Sequence, residues 1–246
     1  MGDVELRAGG RYEGLDLSPC GWTDADLTDA EFEGCNFGAA QVQGACLQGA
    51  RLRQCRFDGA RFASADLRET RFEECQFAHA NAKGAQFAFC RLEEARFERC
   101  ELSFARFERC EAYSLEMDRC NLRGAVFLRT DFGRVFGRGR ALLSASLRSC
   151  NLELADLNGV ALAGCDLSGS SLREAVLYDA DLEGCDLRGC DLVQALTVGA
   201  KLARADLRQA QLAGLDLAQL ASRDDLKISL DQAAVLLAGM GVDVHA

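Results

Sequence analysis

A chain of 246 residues with 49% apolar content can bury a sizeable core, and a single proline (Pro19) with no Gly/Ser/Pro-rich linker gives no compositional reason to divide it. The formal net charge is −10, unevenly spread: residues 1–50 carry nine acids and two bases, residues 51–132 fourteen and fifteen, and residues 133–246 fifteen and eleven. Such a body argues against ordinary nucleic-acid binding, which needs a basic footprint, and suits either plain solubility or a partner that itself carries a basic, DNA-binding surface.

Residues 1–14 read as a lead-in. MGDVELRAGG has no apolar core of a secretory signal, Leu6 stands where a myristoylation signal wants Ser or Thr, and no apolar run is long enough to span a membrane. The expectation is a cytoplasmic protein without a membrane partner.

From residue 15 to 219 the chain repeats with a period of five. Positions 17, 22, 27 and onward to 217 are almost all Leu or Phe, and the residue two before each is mostly Ala or Cys. Ala65-Asp66-Leu67-Arg68-Glu69 and Cys185-Asp186-Leu187-Arg188-Gly189 are typical units. The phase holds across about forty units. Neither a helix face, period 3.6, nor a strand face, period 2, produces this pattern; a period of five with two inward residues needs a repeated short turn. The centres change character along the chain. Eleven of those from 32 to 132 are Phe, whereas all from 142 to 217 are Leu except Thr197. A change of turn type or twist is expected near residue 135.

Two stretches interrupt the repeat. In residues 78–86, Ala82 underfills its centre, and a weak coil is expected there rather than a bulge. In residues 133–144, Gly137 cannot fill a centre nor Arg140 a small position. A protruding loop of about ten residues is expected, a contact loop carrying Arg134, Val135, Phe136, Arg138 and Arg140 and no acid on an acidic body.

Beyond 219 the pattern changes to a C-terminal segment, 220–246. Ser229 followed by Gln232 is a capping box, and Leu230, Ala233, Ala234, Leu236, Leu237 and Met240 recur at helical spacing. Gly241 should end the helix, with Val242-Asp243-Val244 a short strand. A stacked repeat needs its end covered. Leu230, Ala233, Leu236, Leu237, Met240, Val242 and Val244 are therefore the candidate cap and dimer residues.

Chemistry finds no foothold. There is no phosphate loop, no H-E-x-x-H and no G-x-S-x-G, and only His79 and His245 could serve as the commonest general base. Thirteen cysteines include no C-x-x-C pair, and twelve of them occupy the small inward class, where Cys replaces Ala as a small buried residue. No catalysis, metal or cofactor is expected. Asp166, Asp186 and Asp206, spaced by twenty, should stack as an outward acidic ladder able to imitate phosphates, although Asp is also the ordinary repeat residue there, bonding nearby backbone.

The A/C-x-L/F-x-x pattern resembles the pentapeptide-repeat family over nearly the whole chain. That resemblance implies an all-β fold, a right-handed quadrilateral parallel β-helix with four units per coil, coils stacking ~4.8 Å apart, and a capping C-terminal helix. Leu230 to Leu237, followed by Gly241-Val242-Asp243-Val244, and the stretch from Leu115 to Cys120 through 133–144 to Asn151-Leu152 further resemble the Qnr-type quinolone-resistance group. This implies a rod dimerised through its C-terminal tail that binds DNA gyrase or topoisomerase IV and protects it from poisons that trap cleaved DNA. The chain differs from that group in about two extra N-terminal coils and in a missing or reduced first loop. The alternative is a structural or scaffold pentapeptide-repeat protein with an unrelated protein partner.

Overall fold

The computed structural model describes residues 6–18, 21–38, 40–77, 84–135, 141–239 and 241–242. The chain winds as a right-handed, four-sided parallel β-solenoid. Each pentapeptide makes one side, and each side bridges in parallel to the same side of the next coil, as Asp166 does to Asp186 and Asp186 to Asp206. The sides are numbered here by their first bridge: Arg11–Glu31, Asp16–Asn36, Gln41–Arg61 and Asp26–Cys46 lie on the first, second, third and fourth. Among the described residues, the centres from Leu17 to Leu212, Leu142 and Thr197 aside, and most of the small residues two before each form one continuous core. The outward residues meet at corners where the backbone turns left-handed, as at Asp24 and Asp29 with φ 55°.

Two local forms build the sides. On a turn side, the N–H three residues beyond the centre donates to the centre's carbonyl, as from Ala60 to Phe57 at 2.9 Å. On a strand side three or four residues run extended instead. Arg11–Glu13, Glu31–Glu33, Arg51–Arg53, Arg71–Glu73, Arg96–Glu98, Leu115–Asp118 and Ala145–Arg148 stack into a seven-stranded parallel sheet along the first side. Gln86–Ala88, Arg106–Glu108 and Val126–Leu128 form a three-stranded sheet on the third. An extended residue advances about 3.3 Å, so strand sides push the corners apart; Phe32, Phe72, Phe87, Phe97, Phe107 and Phe127 centre such sides, while Phe37 and Phe57 fill turn sides. Phe87, Phe107 and Phe127 then stack face to face at centroid distances of 4.8 Å with interplanar angles of 5° and 10°. The strand form ends at Arg148, and the described sides from Asn151 to Gly214 are turn sides around Leu, apart from Thr197. The change of turn type thus accompanies the change from Phe to Leu.

Eight of the twelve described cysteines close strand sides, whereas Cys165, Cys185 and Cys190 close turn sides and Cys46 holds an outward position. No turn bond reaches the centre carbonyl of a strand side among the described residues, and that carbonyl accepts instead from the small residue one coil on. Cys75 Sγ donates to the carbonyl of Leu52 at 3.3 Å, Cys120 to Phe97 at 3.3 Å and Cys110 to Phe87 at 3.3 Å. Where cysteine is absent a hydroxyl substitutes: Thr130 donates to Phe107 at 3.0 Å and Ser170 to Leu147 at 2.6 Å. Alanine could not donate. Cysteine is thus both the small apolar filler the pattern suggests and a weak inward donor. Cys35, Cys55, Cys75, Cys100, Cys120 and Cys150 stand in one column, each thiol neighbouring the next and donating to a carbonyl of the coil before. The twelve described cysteines are free, and no metal-binding cluster occurs among the described residues.

Register reveals two insertions that the five-residue phase conceals. Arg61 bridges Gln86 and Arg71 pairs with Arg96, a step of twenty-five rather than twenty. The five extra residues fall between Phe77 and Ala85, whose N–H closes on the Phe77 carbonyl at 3.1 Å. The extra unit corrects the expectation of a merely weak coil at 78–86, although residues 78–83 themselves lie outside the described set. Asn121 bridges Asn151 and Leu115 pairs with Ala145, a step of thirty; Ser144 N–H closes on Phe132 at 3.1 Å. Leu142, counted in phase as a centre, is 58% exposed on this second excursion.

The stack also extends beyond both sequence boundaries. Arg11–Glu13 already pairs with the next coil, so the lead-in contributes the first side. Ser222 and Lys227 still bridge Lys201 and Asp206, so two sides follow residue 219. No helix among the described residues is long and apolar enough to cross a membrane.

Candidate interaction site

The ten-residue excursion is a β-hairpin on the fourth side. Gly133–Val135 pairs antiparallel with Ala141–Leu143. Phe136, Arg138 and Arg140 lie outside the described residues. Arg134 turns back onto the rod, its guanidinium 6.0 Å from the Tyr113 ring centroid. There it lines a cleft of about 240 Å³ with Arg68, Glu69, Arg91, Glu93 and Glu94. Glu93 Oε2 is buried without a hydrogen-bond partner among the described residues. Val135, 63% exposed, faces solvent with Leu142. The hairpin therefore presents apolar side chains outward while Arg134 sits among acids at its base.

Asp166, Asp186 and Asp206 stack as their spacing requires, but they do not form a bare acidic ladder. Arg188 forks onto Asp186, Nε to Oδ1 at 2.9 Å and Nη2 to Oδ2 at 2.5 Å. Arg208 grips Asp206 in the same way at 2.9 and 2.6 Å, and Arg148 reaches Asp166 at 4.0 Å. These forks hold the Asp186 and Asp206 carboxyls below their usual range. The column is a ladder of ion pairs because Arg188 and Arg208, two positions on, extend from the same side as Asp186 and Asp206, while Arg148 of the coil before reaches Asp166. Uncompensated acid is densest at the N-terminal end. Exposed Glu13, Asp16, Asp24, Asp26 and Asp29 have no Arg or Lys within ion-pair distance among the described residues, as is also true of exposed Glu174, Asp179, Asp224, Asp225 and Asp231 further on. Ser18 and Thr28 hydroxyls hold the Asp16 and Asp26 carboxyls low, which keeps them ionised. The carboxylates of Asp24 and Asp29 lie over Gly44 and Gly49 of the next coil, left-handed corners where a Cβ would displace them.

The tail splits into an inner and an outer face. Helix α1, Leu230–Gly239, begins where Ser229 N–H donates to Gln232 Oε1 at 2.6 Å. It closes with Gly241 N–H on Ala238 at 3.0 Å and Val242 N–H on Leu237 at 2.9 Å, a Schellman pair around Gly241 at φ 78°. Gln232 and Leu236 are buried, and Gln232 Nε2 donates to the last coil's Leu207 and Ala210 carbonyls at 2.7 and 2.6 Å. Gln232 thus satisfies the end of the stack, a role the helical spacing of apolar residues did not disclose. Leu236 seals it, and Ala233 is half-buried. Leu230, 92% exposed, Leu237 and Val242 face away from the stack, while Met240 and Val244 lie outside the described residues.

The pentapeptide repeat region family matches residues 25–95, and the pentapeptide repeats family matches 90–128, 155–194 and 185–219. The chain belongs to the pentapeptide-repeat family. The gap between 128 and 155 holds the hairpin, where coil spacing is lost. Full-length QnrB1, described as a plasmid-mediated fluoroquinolone resistance protein, matches 95% of this chain over 100% of its own length, with a TM-score of 0.78 at 24% identity. A trypsin-treated QnrB1 variant matches 96% of this chain and 100% of its own, with a TM-score of 0.69 at 25% identity. HetL from the cyanobacterium Nostoc sp. strain PCC 7120, a pentapeptide repeat protein involved in heterocyst differentiation regulation, matches 92% and 90% of the two chains, with a TM-score of 0.67 at 22% identity. No curated protein matches the sequence.

Proposed function

We propose that this chain binds a type II topoisomerase, DNA gyrase or topoisomerase IV, and protects it from quinolone or natural-product poisons without catalysing a reaction. The observation carrying this reading is the combination of a projecting hairpin and a capped C-terminus on a rod that superposes over 95% of its length on QnrB1. The acidic rod approaches the enzyme's basic DNA-binding surface, partly as a DNA mimic. The mimicry rests on the N-terminal carboxylates rather than the ion-paired Asp166–Asp186–Asp206 column. Val135 and the residues at the hairpin tip then meet the enzyme. Two copies join through the outward tail residues Leu230, Leu237 and Val242.

Binding of the protein to immobilised gyrase tests this reading. The expected result is saturable binding that linear duplex DNA displaces and added salt weakens. Absence of binding to both gyrase and topoisomerase IV would refute it. The HetL match favours a second reading, a scaffold with an unrelated partner. Gel filtration separates the two, since a compact dimer accords with the first and a monomer with the second.

A further inference from the structure

Between Arg11 and Gln219, the hairpin aside, the exposed large apolar residues of the described coil body stand on the third side or its corner with the second. Charge is distinctive on the same side. From Arg61 to Arg129 its outward positions hold Arg61, Arg106, Arg109 and Arg129 against one acid, Glu108, which Arg106 pairs at 3.1 Å. Arg61, Arg109 and Arg129 have no carboxylate within ion-pair distance among the described residues. On a body of net charge −10 this is a local basic patch.

Two aromatic rings stand at the corners of this side. Phe89 and Phe104 occupy left-handed corners, φ 57° and 58°. In the same corner columns other coils place Gly44, Gly159 and Gly199 but also Asp24, Ser64, Arg109, Arg129 and Asp179 at the position of Phe89, and Gly59, Gly124 and Gly214 but also Leu154, Glu174 and Gln194 at that of Phe104. Side chains at left-handed corners are thus regular in this solenoid, at a cost that a bulky residue bears more than glycine, and what sets Phe89 and Phe104 apart is a large exposed ring. Neither ring is buried to compensate: Phe89 is 53% exposed and Phe104 38%. Both are nevertheless held in place. The Arg109 guanidinium lies 5.6 Å from the Phe89 centroid, and the Phe104 ring rests on Gly124, where a Cβ would come within 2.8 Å of it.

We propose that this edge docks a partner protein segment in which a carboxylate stands beside an apolar side chain. Phe89, Phe104 and Leu128 receive the apolar group, and Arg61, Arg109 and Arg129 receive the acid. Arginine and aromatic residues with few competing acids are the composition of interface hot spots. Single-stranded nucleic acid also uses arginine and aromatic platforms, but a strongly acidic body repels a long polyanion, whereas a short segment presents only a few charges to the patch. The topoisomerase reading enters only in naming the enzyme as a source of that segment.

The test uses Phe89→Gly/Phe104→Gly and Arg109→Glu/Arg129→Glu variants of the full chain. The probes are a fluorescein-labelled peptide of roughly twelve alternating Asp and Leu residues, a labelled oligo-dT of similar length, and purified gyrase. The glycine variant relieves the strained corners, so its Tm should equal or exceed that of the parent. The expected result is peptide binding that weakens about ten-fold or more in both variants, a change near 1.4 kcal/mol, with gyrase affinity falling alongside. Equal peptide binding in parent and variants, no peptide binding, or tighter binding of oligo-dT would overturn the docking edge. Gyrase binding untouched by either variant would overturn it while leaving the topoisomerase reading intact. Peptide dependence without gyrase binding would uphold the edge and reject that reading.

Discussion

Deletion of Arg134–Leu143 joins Gly133 directly to Ser144 and should restore a twenty-residue coil. Phe132 keeps its centre, Gly133 and Ser144 take the two outward turn positions, and Ala145 keeps the small inward one. Ser144 already bonds as a coil residue, its N–H to Phe132 and its carbonyl to Ser114 at 2.7 Å. Shortening the stretch 133–144 from twelve residues to two recovers about 1.6 kcal/mol of closure entropy by the (3/2)RT ln n relation. Against this stand the hairpin's own pairing and the exposed cation–π contact of Arg134 on Tyr113, worth ~0.5–1 kcal/mol. The net effect lies within about 2 kcal/mol of zero, which moves Tm by about 4–8 °C at most for a chain of this size. Deleting one residue more, Arg134–Ser144, leaves four residues where a side needs five and should lower Tm several times further. Thermal melting by circular dichroism, with gel filtration alongside, reads both variants. In a drug-challenged gyrase assay the ten-residue deletion should remain dimeric and lose protection. A collapse of Tm in that variant, or equal losses in the two deletions, would refute the account of the hairpin as an excursion from an otherwise regular stack.

Other expectations follow from the core and the surface. Phe107→Ala, at a fully buried ring stacked on two others, should cost ~3–5 kcal/mol in denaturant unfolding; a Phe87/Phe107 double-mutant cycle should show coupling of ~0.5–1.5 kcal/mol. Leu167→Asp, at a fully buried centre, should destabilise several times more than Asp186→Asn on the surface. Burial pushes the Cys165 thiol up to about 11 and Cys190 up to about 12, so both should resist iodoacetamide at pH 8 until the chain unfolds. Arg188→Ala/Arg208→Ala should raise the titration points of Asp186 and Asp206 in carboxyl NMR. Because these carboxyl values are depressed in the folded chain, the stability they lend the parent is present above the unfolded value near 3.8 and is lost as pH falls through the folded one. The same variant uncovers the acidic column and should tighten gyrase binding if stacked carboxylates imitate phosphates.

The sequence made the solenoid legible because each unit commits one large and one small residue inward, a pattern neither helix nor strand reproduces. It concealed the insertions because five and ten are multiples of the repeat. Counting by twenty stacks Asp166, Asp186 and Asp206 correctly below the hairpin, yet above it would place Ala95 over Cys75, where Cys100 sits instead. Leu142 matches the centre class by phase and stands in solvent by register. Sequence spacing also named the ladder acids without Arg188 and Arg208, two residues on, which neutralise them. One signal was present but not specific: Cys or Thr at the small position closes most of the strand sides and can donate to the centre carbonyl one coil back, yet Thr70, Cys165, Ser170, Cys185 and Cys190 close turn sides.

The most direct test of the topoisomerase reading is gyrase supercoiling across a titration of this protein, with and without a fluoroquinolone. The account predicts that supercoiling is restored in the drug-treated reaction as the protein rises. Unchanged inhibition by the drug across the titration, with a natural-product gyrase poison giving the same outcome, would contradict it.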